Sequence, residues 1–336
     1  MIQAKWAKIT VALALLLLSI HPTHARDIYW LRYEKSAQPY IAEMYSTLPK
    51  IELAKMNKFH PFYLRGTPAK RAVVDAQIGF QIPFLTVARD TPRGRFKGTL
   101  MSLTSVNTLI DVMETETAPV VNNDYRMGLK FFFQYYPDNS GWLKNYHLTF
   151  LPILHESTHI GDEFAIHSMN HHPDFMRVNI GYEVWQLFVG FNRNYDYHRP
   201  NLSAEIGYQR LLSGQDGFYK IDNTEELQGH PIVPSKRRDG WFLRGEYNLP
   251  LSTNPRNRTS FVFSTEIRHD IKMGYTTQNP ESRTWLGNFY AGFRMPLAGS
   301  SYHAGIYLHH YRGVIPYGQM RDVDGFRMTG LSVVVN

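Results

Sequence analysis

The chain reads as an all-β protein: a transmembrane antiparallel β-barrel of about 12 strands, with short periplasmic turns and longer extracellular loops. Three observations predict it. From residue 71 onward, segments of about ten residues or more alternate apolar and polar side chains with a period of two. The links between these segments alternate between short and long. Aromatic residues make up 14% of a chain whose mean hydropathy is negative, which suits half-apolar strands with aromatic girdles better than a helical enzyme.

The N-terminal residues read as an export signal. Lys5 and Lys8 precede the apolar run Ile9 to Leu18, and Thr23-His24-Ala25 supplies a small-residue cleavage site, so residues 1–25 are expected to be a signal peptide and Arg26 the first mature residue. No later stretch reaches the roughly 18 apolar residues that a spanning helix needs. Export without a single cysteine argues against a disulfide-stapled scaffold. A net charge of +7 would suit nucleic acid, but export excludes that partner. Outer-membrane lipid and lipopolysaccharide are expected instead, with a small ligand in the lumen as a further candidate.

Residues 26–60 carry Pro39, Pro49 and a helix-compatible patch around Ile41–Met56. They are read as a periplasmic N-terminal segment or plug, with the barrel filling 61–336. At 71–88, Ala72, Val74, Ala76, Ile78, Phe80 and Ile82 alternate with Asp75, Gln77, Gly79 and Gln81. Tyr125 to Tyr135 repeats the pattern against Arg126 and Lys130. Tyr182 and Val184 oppose Gly181 and Glu183, Leu202 to Tyr208 opposes Glu205, Phe261 to Ile267 opposes Glu266 and Arg268, and Trp285 to Met295 opposes Asn288 and Arg294. Weaker copies lie near 98–113, 142–160, 239–251, 301–313 and 326–336. A soluble sandwich alternates as well, but its strands are usually nearer 5–6 residues long.

Links after 88, 137, 194, 251 and 297 are mostly short, and those after 113, 160, 214, 273 and 313 mostly longer. Periplasmic turns and extracellular loops follow from that alternation. The strand at 71–88 then runs inward and needs an outward strand before it, for which His60–Leu64 is the candidate. The lumen is expected to hold Arg126, Lys130, Arg177, Glu183, Glu205, Arg244, Glu246, Glu266, Arg268 and Asp270. In a narrow barrel such charges cross-link into a salt-bridged interior.

Chemistry concentrates between Trp142 and Phe164, where His155, Ser157, His159, Asp162 and Glu163 gather. On a helix, His155 and His159 would meet as zinc ligands with Glu156 as base, and Glu163, His167, His171 or His172 as a third ligand. On a strand, His155, Ser157 and His159 share one face, and an imidazole two residues from a serine is placed to take its proton. The alternation of the preceding residues favours the strand, so neither metal nor cofactor is expected. Strict alternation aims the odd residues into the lumen, where the cluster would form a hydrogen-bonded knot pinning loop 161–175 to the barrel mouth. A bulge seated at Pro152 would reverse that phase and turn His155 and Ser157 toward lipid.

Asn122-Asn123-Asp124-Tyr125-Arg126, then His155-x-Ser157-x-His159-x-Gly161-Asp162-Glu163, and Pro316-Tyr317-Gly318-Gln319 resemble a family of exported bacterial proteins. That family is predicted to form outer-membrane barrels, and the resemblance implies no activity. A looser resemblance, carried by His155-x-Ser157 on one strand near the extracellular leaflet, is to outer-membrane phospholipase A and lipid A deacylase. It implies Ser157 as nucleophile, His155 as general base, and Glu163, Asp162 or Asn170 as the group that orients the base. Two classes of function therefore remain open. One is a non-catalytic envelope barrel, acting as a narrow channel, a ligand-binding barrel or a stabilising one. The other is a lipid ester hydrolase, with an H-E-x-x-H zinc peptidase as a second enzymatic alternative.

Overall fold

The computed structural model describes residues 26–31, 39–43, 46–57, 70–113, 118, 120–138, 142–162, 178–192, 199–212, 219–221, 239–252, 259–271, 283–297, 302–316 and 325–335. The strands in chain order are β1 (Arg26–Trp30), β2 (Lys50–Met56), β3 (Arg71–Thr91), β4 (Gly94–Asp111), β5 (Val120–Pro137), β6 (Tyr146–Ile160) and β7 (Val178–Phe191). They continue as β8 (Asn201–Leu211), β9 (Tyr219–Ile221), β10 (Asp239–Pro250), β11 (Ser260–Ile271), β12 (Arg283–Pro296), β13 (His303–Gly313) and β14 (Phe326–Val335). Each of the long strands pairs antiparallel with its neighbours, and β2 pairs with both β3 and β14, so 12 strands close into a barrel. β1 and β9 are outside that ring, flanking β3 and β7.

Alternation explains the two faces. Ile78, Phe80, Val106, Met127, Val189, Ile206, Leu243, Phe263, Phe293, Ile306, Leu308 and Leu331 stand exposed on the outside, while Glu52, Asp75, Arg126, Glu205, Arg244, Glu246, Glu266, Arg268 and Arg294 are buried within. A greasy exterior around a polar interior is the inverse of a soluble protein, and its natural solvent is a bilayer. The aromatic girdle toward the long-loop end includes Trp185, Tyr208 and Trp241, in mutual ring contact at 5.3 and 4.8 Å. At the short-turn end Trp142 meets Phe191, and Phe96 stacks on Phe133.

The first barrel strand is Lys50–Met56, inside the span expected to precede the barrel. His60–Leu64, the expected first strand, lies outside the described residues. Lys-Ile-Glu-Leu-Ala-Lys-Met is made largely of strong helix formers, yet it pairs with Arg71–Gln77 on one side and with Met328–Val334 on the other. Ile51 and Leu53 go to lipid and Glu52 to the lumen. Tertiary pairing overrides the helical preference.

The residues just before β2 lie inside the barrel. Tyr40, Ile41, Ala42, Ser46, Thr47 and Leu48 are buried. Ile41 N donates to Glu246 Oε2 (3.2 Å), Ala42 N to Ser264 Oγ (3.0 Å) and Asn288 Nδ2 to Ala42 O (2.8 Å). On the opposite wall, Gln77 Nε2 donates to Ser46 O (2.7 Å) and Leu48 O (2.9 Å), and Gln81 Nε2 to Thr47 Oγ1 (2.9 Å). A Cβ at Gly79 would come within 2.7 Å of Thr47 Cα and O, so only glycine lets the segment lie this close to β3.

Charge networks fill most of the rest. Arg244 bridges Glu205 and Glu266, reaches Glu43 at 3.6 Å, and packs over the Phe188 ring at 4.4 Å. His309 contacts Glu52 (2.6 Å) through Nδ1 and Asn288 through Nε2. Among the described residues, spaces of about 30 and 40 Å³ flank the inner segment, each room for a few waters.

Candidate active site

Strand β6 decides the site. Below its middle, His147, Thr149 and Leu151 are buried in the lumen; above it, Leu154, Glu156 and Thr158 are. The luminal set changes from odd to even because β6 carries one extra residue. Leu129 and Phe131 of β5 face Ile153 and Phe150, and Val184 and Gln186 of β7 face Leu154 and Leu151. Pro152 occupies this bulge, where its missing N–H costs no ladder hydrogen bond.

As a consequence His155, Ser157 and His159 face outward, at the end of the barrel that carries the long loops. The luminal knot expected from strict alternation does not form. Successive outward residues of a strand stand about 6.6 Å apart along the chain, so the serine hydroxyl and the imidazole are neighbours on the wall.

His155 Nδ1 lies 3.2 Å from Glu183 Oε1, the two residues facing each other across the β6–β7 ladder. Their side chains are 47% and 30% exposed. With Nδ1 engaged by a carboxylate, Nε2 is the nitrogen left to accept a proton. Glu183 was expected in the lumen and is outside instead. Both faces of β7 are apolar, with Tyr182, Val184 and Phe188 buried and Leu187 and Val189 exposed, so a short window reads either way. Alternation followed through Leu187 and Val189 places Glu183 on the lipid face and would have found it.

Around this trio, Gly181 faces Ser157 on β7 and Tyr125 faces it on β5. A Cβ at Gly181 would sit no closer than 3.9 Å to any neighbour. The glycine is therefore not forced by packing, and it leaves the wall beside Ser157 uncovered. His159 meets the Tyr125 ring edge-on at 5.6 Å, away from the Glu183 pair. Gly161 N donates to Val121 O (3.3 Å), and a Cβ there would lie 1.8 Å from Val120 O, which accounts for the glycine after the two histidines. Asp162 follows, exposed. Glu163, His167, Asn170, His171 and His172 lie outside the described residues.

Glu156 points the other way, into the barrel. It accepts from Arg126 Nη2 (3.1 Å) and Tyr182 Oη (2.6 Å) and is buried. The zinc reading fails here. His155 and His159 are four strand residues apart, about 13 Å of chain, and zinc holds its histidine nitrogens near 2.1 Å. The acid that would serve as base is behind the wall in an ion pair.

No family model matches the chain, and no curated protein matches it. Among solved structures, it is similar to the outer membrane phospholipase dimer of Salmonella typhi, with 11% identity and a TM-score of 0.45, over 87% of this chain and 91% of that one. LpxR from Salmonella typhimurium aligns at 10% identity and a TM-score of 0.36, over 85% and 99% of the two chains. The translocator domain of the autotransporter NalP from Neisseria meningitidis aligns at 7% and 0.40, over 99% and 95%. Likeness at this level says nothing about activity or substrate.

Proposed function

We propose that this barrel is an outer-membrane lipid ester hydrolase, with Ser157 as nucleophile, His155 as general base and Glu183 as the carboxylate that orients the base. The observation that carries the reading is the phase reversal at Pro152, which turns His155 and Ser157 from the lumen to the lipid face. A fold-stabilising knot has no need of that reversal; a lipid substrate does.

The chemistry follows from the geometry. His155 Nε2 takes the Ser157 hydroxyl proton as the oxygen adds to an acyl carbonyl, and Glu183 stabilises the imidazolium that forms. His155 then gives the proton to the departing alcohol. Water, activated by the same imidazole, releases the fatty acid and restores Ser157. Gly181 leaves space next to Ser157 for the ester. The substrate class is an acyl ester of an outer-leaflet lipid, phospholipid or lipid A, because the site is exposed where such a lipid abuts the protein.

The test is fatty-acid release from mixed micelles of detergent with phospholipid or lipopolysaccharide. Ser157→Ala is expected to reduce release to background, while the barrel keeps its β circular dichroism and its heat-dependent gel mobility. Equal release by wild type and Ser157→Ala, or none by either on both substrates, overturns the reading.

A further inference from the structure

Half a turn around the barrel from the β6–β7 ladder, the outer wall of β13, β14 and β2 carries a second feature. Arg312 of β13 and Arg327 of β14 face each other directly across the ladder, both on the exposed face. Cβ atoms of such a pair are about 5 Å apart, and like charges so placed repel. Among the described residues neither guanidinium has a carboxylate partner. One step toward the membrane along the same strands, Lys55, Thr329 and His310 follow side by side, all exposed, with His310 Nδ1 3.0 Å from Thr329 Oγ1. The next step is wholly apolar, Leu53, Leu331 and Leu308, at 60, 51 and 66% exposure.

We propose that this wall binds one phosphorylated glycolipid of the outer leaflet, its phosphate between Arg312 and Arg327 and its acyl chains on the leucine strip. An anion between the two guanidiniums removes the repulsion, and arginine presents paired N–H donors that suit phosphate oxygens. Lys55 offers a second cation within the same headgroup. The sequence cations, then polar groups, then aliphatics over three steps of the ladder repeats the layering of an amphiphile standing in the leaflet. The site is opposite the proposed hydrolase centre, so the lipid here is a bound structural ligand rather than substrate.

The experiment uses the whole barrel in detergent, with retained lipid read by native mass spectrometry and thermal stability by heat-dependent gel mobility. The probes are bis-phosphorylated lipid A, the same lipid without its phosphates, and inorganic phosphate as competitor. Bis-phosphorylated lipid A is expected to saturate at one molecule per barrel, at least tenfold tighter than the dephosphorylated form. Arg312→Gln with Arg327→Gln is expected to erase that difference. Arg327→Glu separates binding from folding: pairing with Arg312 across the ladder, it is expected to raise the melting temperature of the lipid-free barrel while abolishing phosphate preference. The proposal is overturned if the two lipids bind alike, if the double variant keeps the preference, or if inorganic phosphate competes as strongly as the lipid. All measurements are made in a Ser157→Ala background, where the lipid cannot be consumed, so failure of this proposal and failure of the hydrolase reading are distinguishable.

Discussion

Replacing Glu183 by alanine removes the carboxylate from the His155 ring and nothing else of structural weight, because both side chains stand on the outer wall. The pair is 3.2 Å apart. At that separation the Coulomb energy is about 1.3 kcal/mol in a water-like surrounding and about 5 kcal/mol at an effective dielectric constant near 20. At the long-loop end of the outer wall the pair lies between water and lipid, so a value between these limits, a loss of roughly 1.5–3 kcal/mol, is expected. Because the imidazolium exists only once the serine proton has moved, that loss falls on the transition state. It translates into a fall in kcat of roughly 10- to 150-fold with KM little changed. Glu183→Gln retains an acceptor for Nδ1 and is expected to fall between wild type and Glu183→Ala. The assay is steady-state release of fatty acid from phospholipid micelles, with kcat and KM resolved separately. If Ser157→Ala is silent while Glu183→Ala turns over at the wild-type rate, Glu183 does not orient the base and the trio is wrong.

Deleting Pro152 removes the one extra residue of β6, so a regular ladder keeps Leu151 and Leu154 inward and His155 and Ser157 outward; lipid hydrolysis is expected to stay within about tenfold of the wild type, and a loss matching that of Ser157→Ala would mean that the bulge itself shapes the site. Glu156→Gln leaves Arg126 without its buried carboxylate, so the barrel is expected to lose about 1–3 kcal/mol in denaturant titrations with kcat changed less than about threefold. A loss of activity matching that of Ser157→Ala would instead make Glu156 a catalytic acid. Gly79→Val drives a side chain into Thr47 and is expected to dislodge the inner segment, which planar-bilayer recordings would register as conductance well above that of the wild type.

The barrel was legible because most of its strands alternate cleanly, with Ile78 and Phe80 against Gln77, or Phe263 against Ser264 and Glu266. Link lengths fixed the direction of each strand and put the cluster at the long-loop end. What escaped were places where local pattern and global fold disagree. Lys50–Met56 prefers a helix on its own and becomes a strand only between two partners far away in the chain. In β7 both faces are apolar, and Glu183 fell on the wrong one. Pro152 marked the site of a bulge, but its insertion is set by pairing with β5 and β7, which a single strand's residues do not specify. Hence the sequence points to His155 and Ser157 but misses Glu183, the carboxylate beside the His155 ring.

The interior segment leads directly into the first stave of the wall, and that stave is joined edge to edge with Phe326–Val335, far along the chain. The cask therefore cannot be hooped shut until Phe326–Val335 has been made, and its contents must already be aboard when it is. Once β14 meets β2, Tyr40, Ile41, Ala42, Ser46, Thr47 and Leu48 are stowed behind a continuous seam. Unloading them would mean prising the vessel open along its length or drawing the segment back out through its floor.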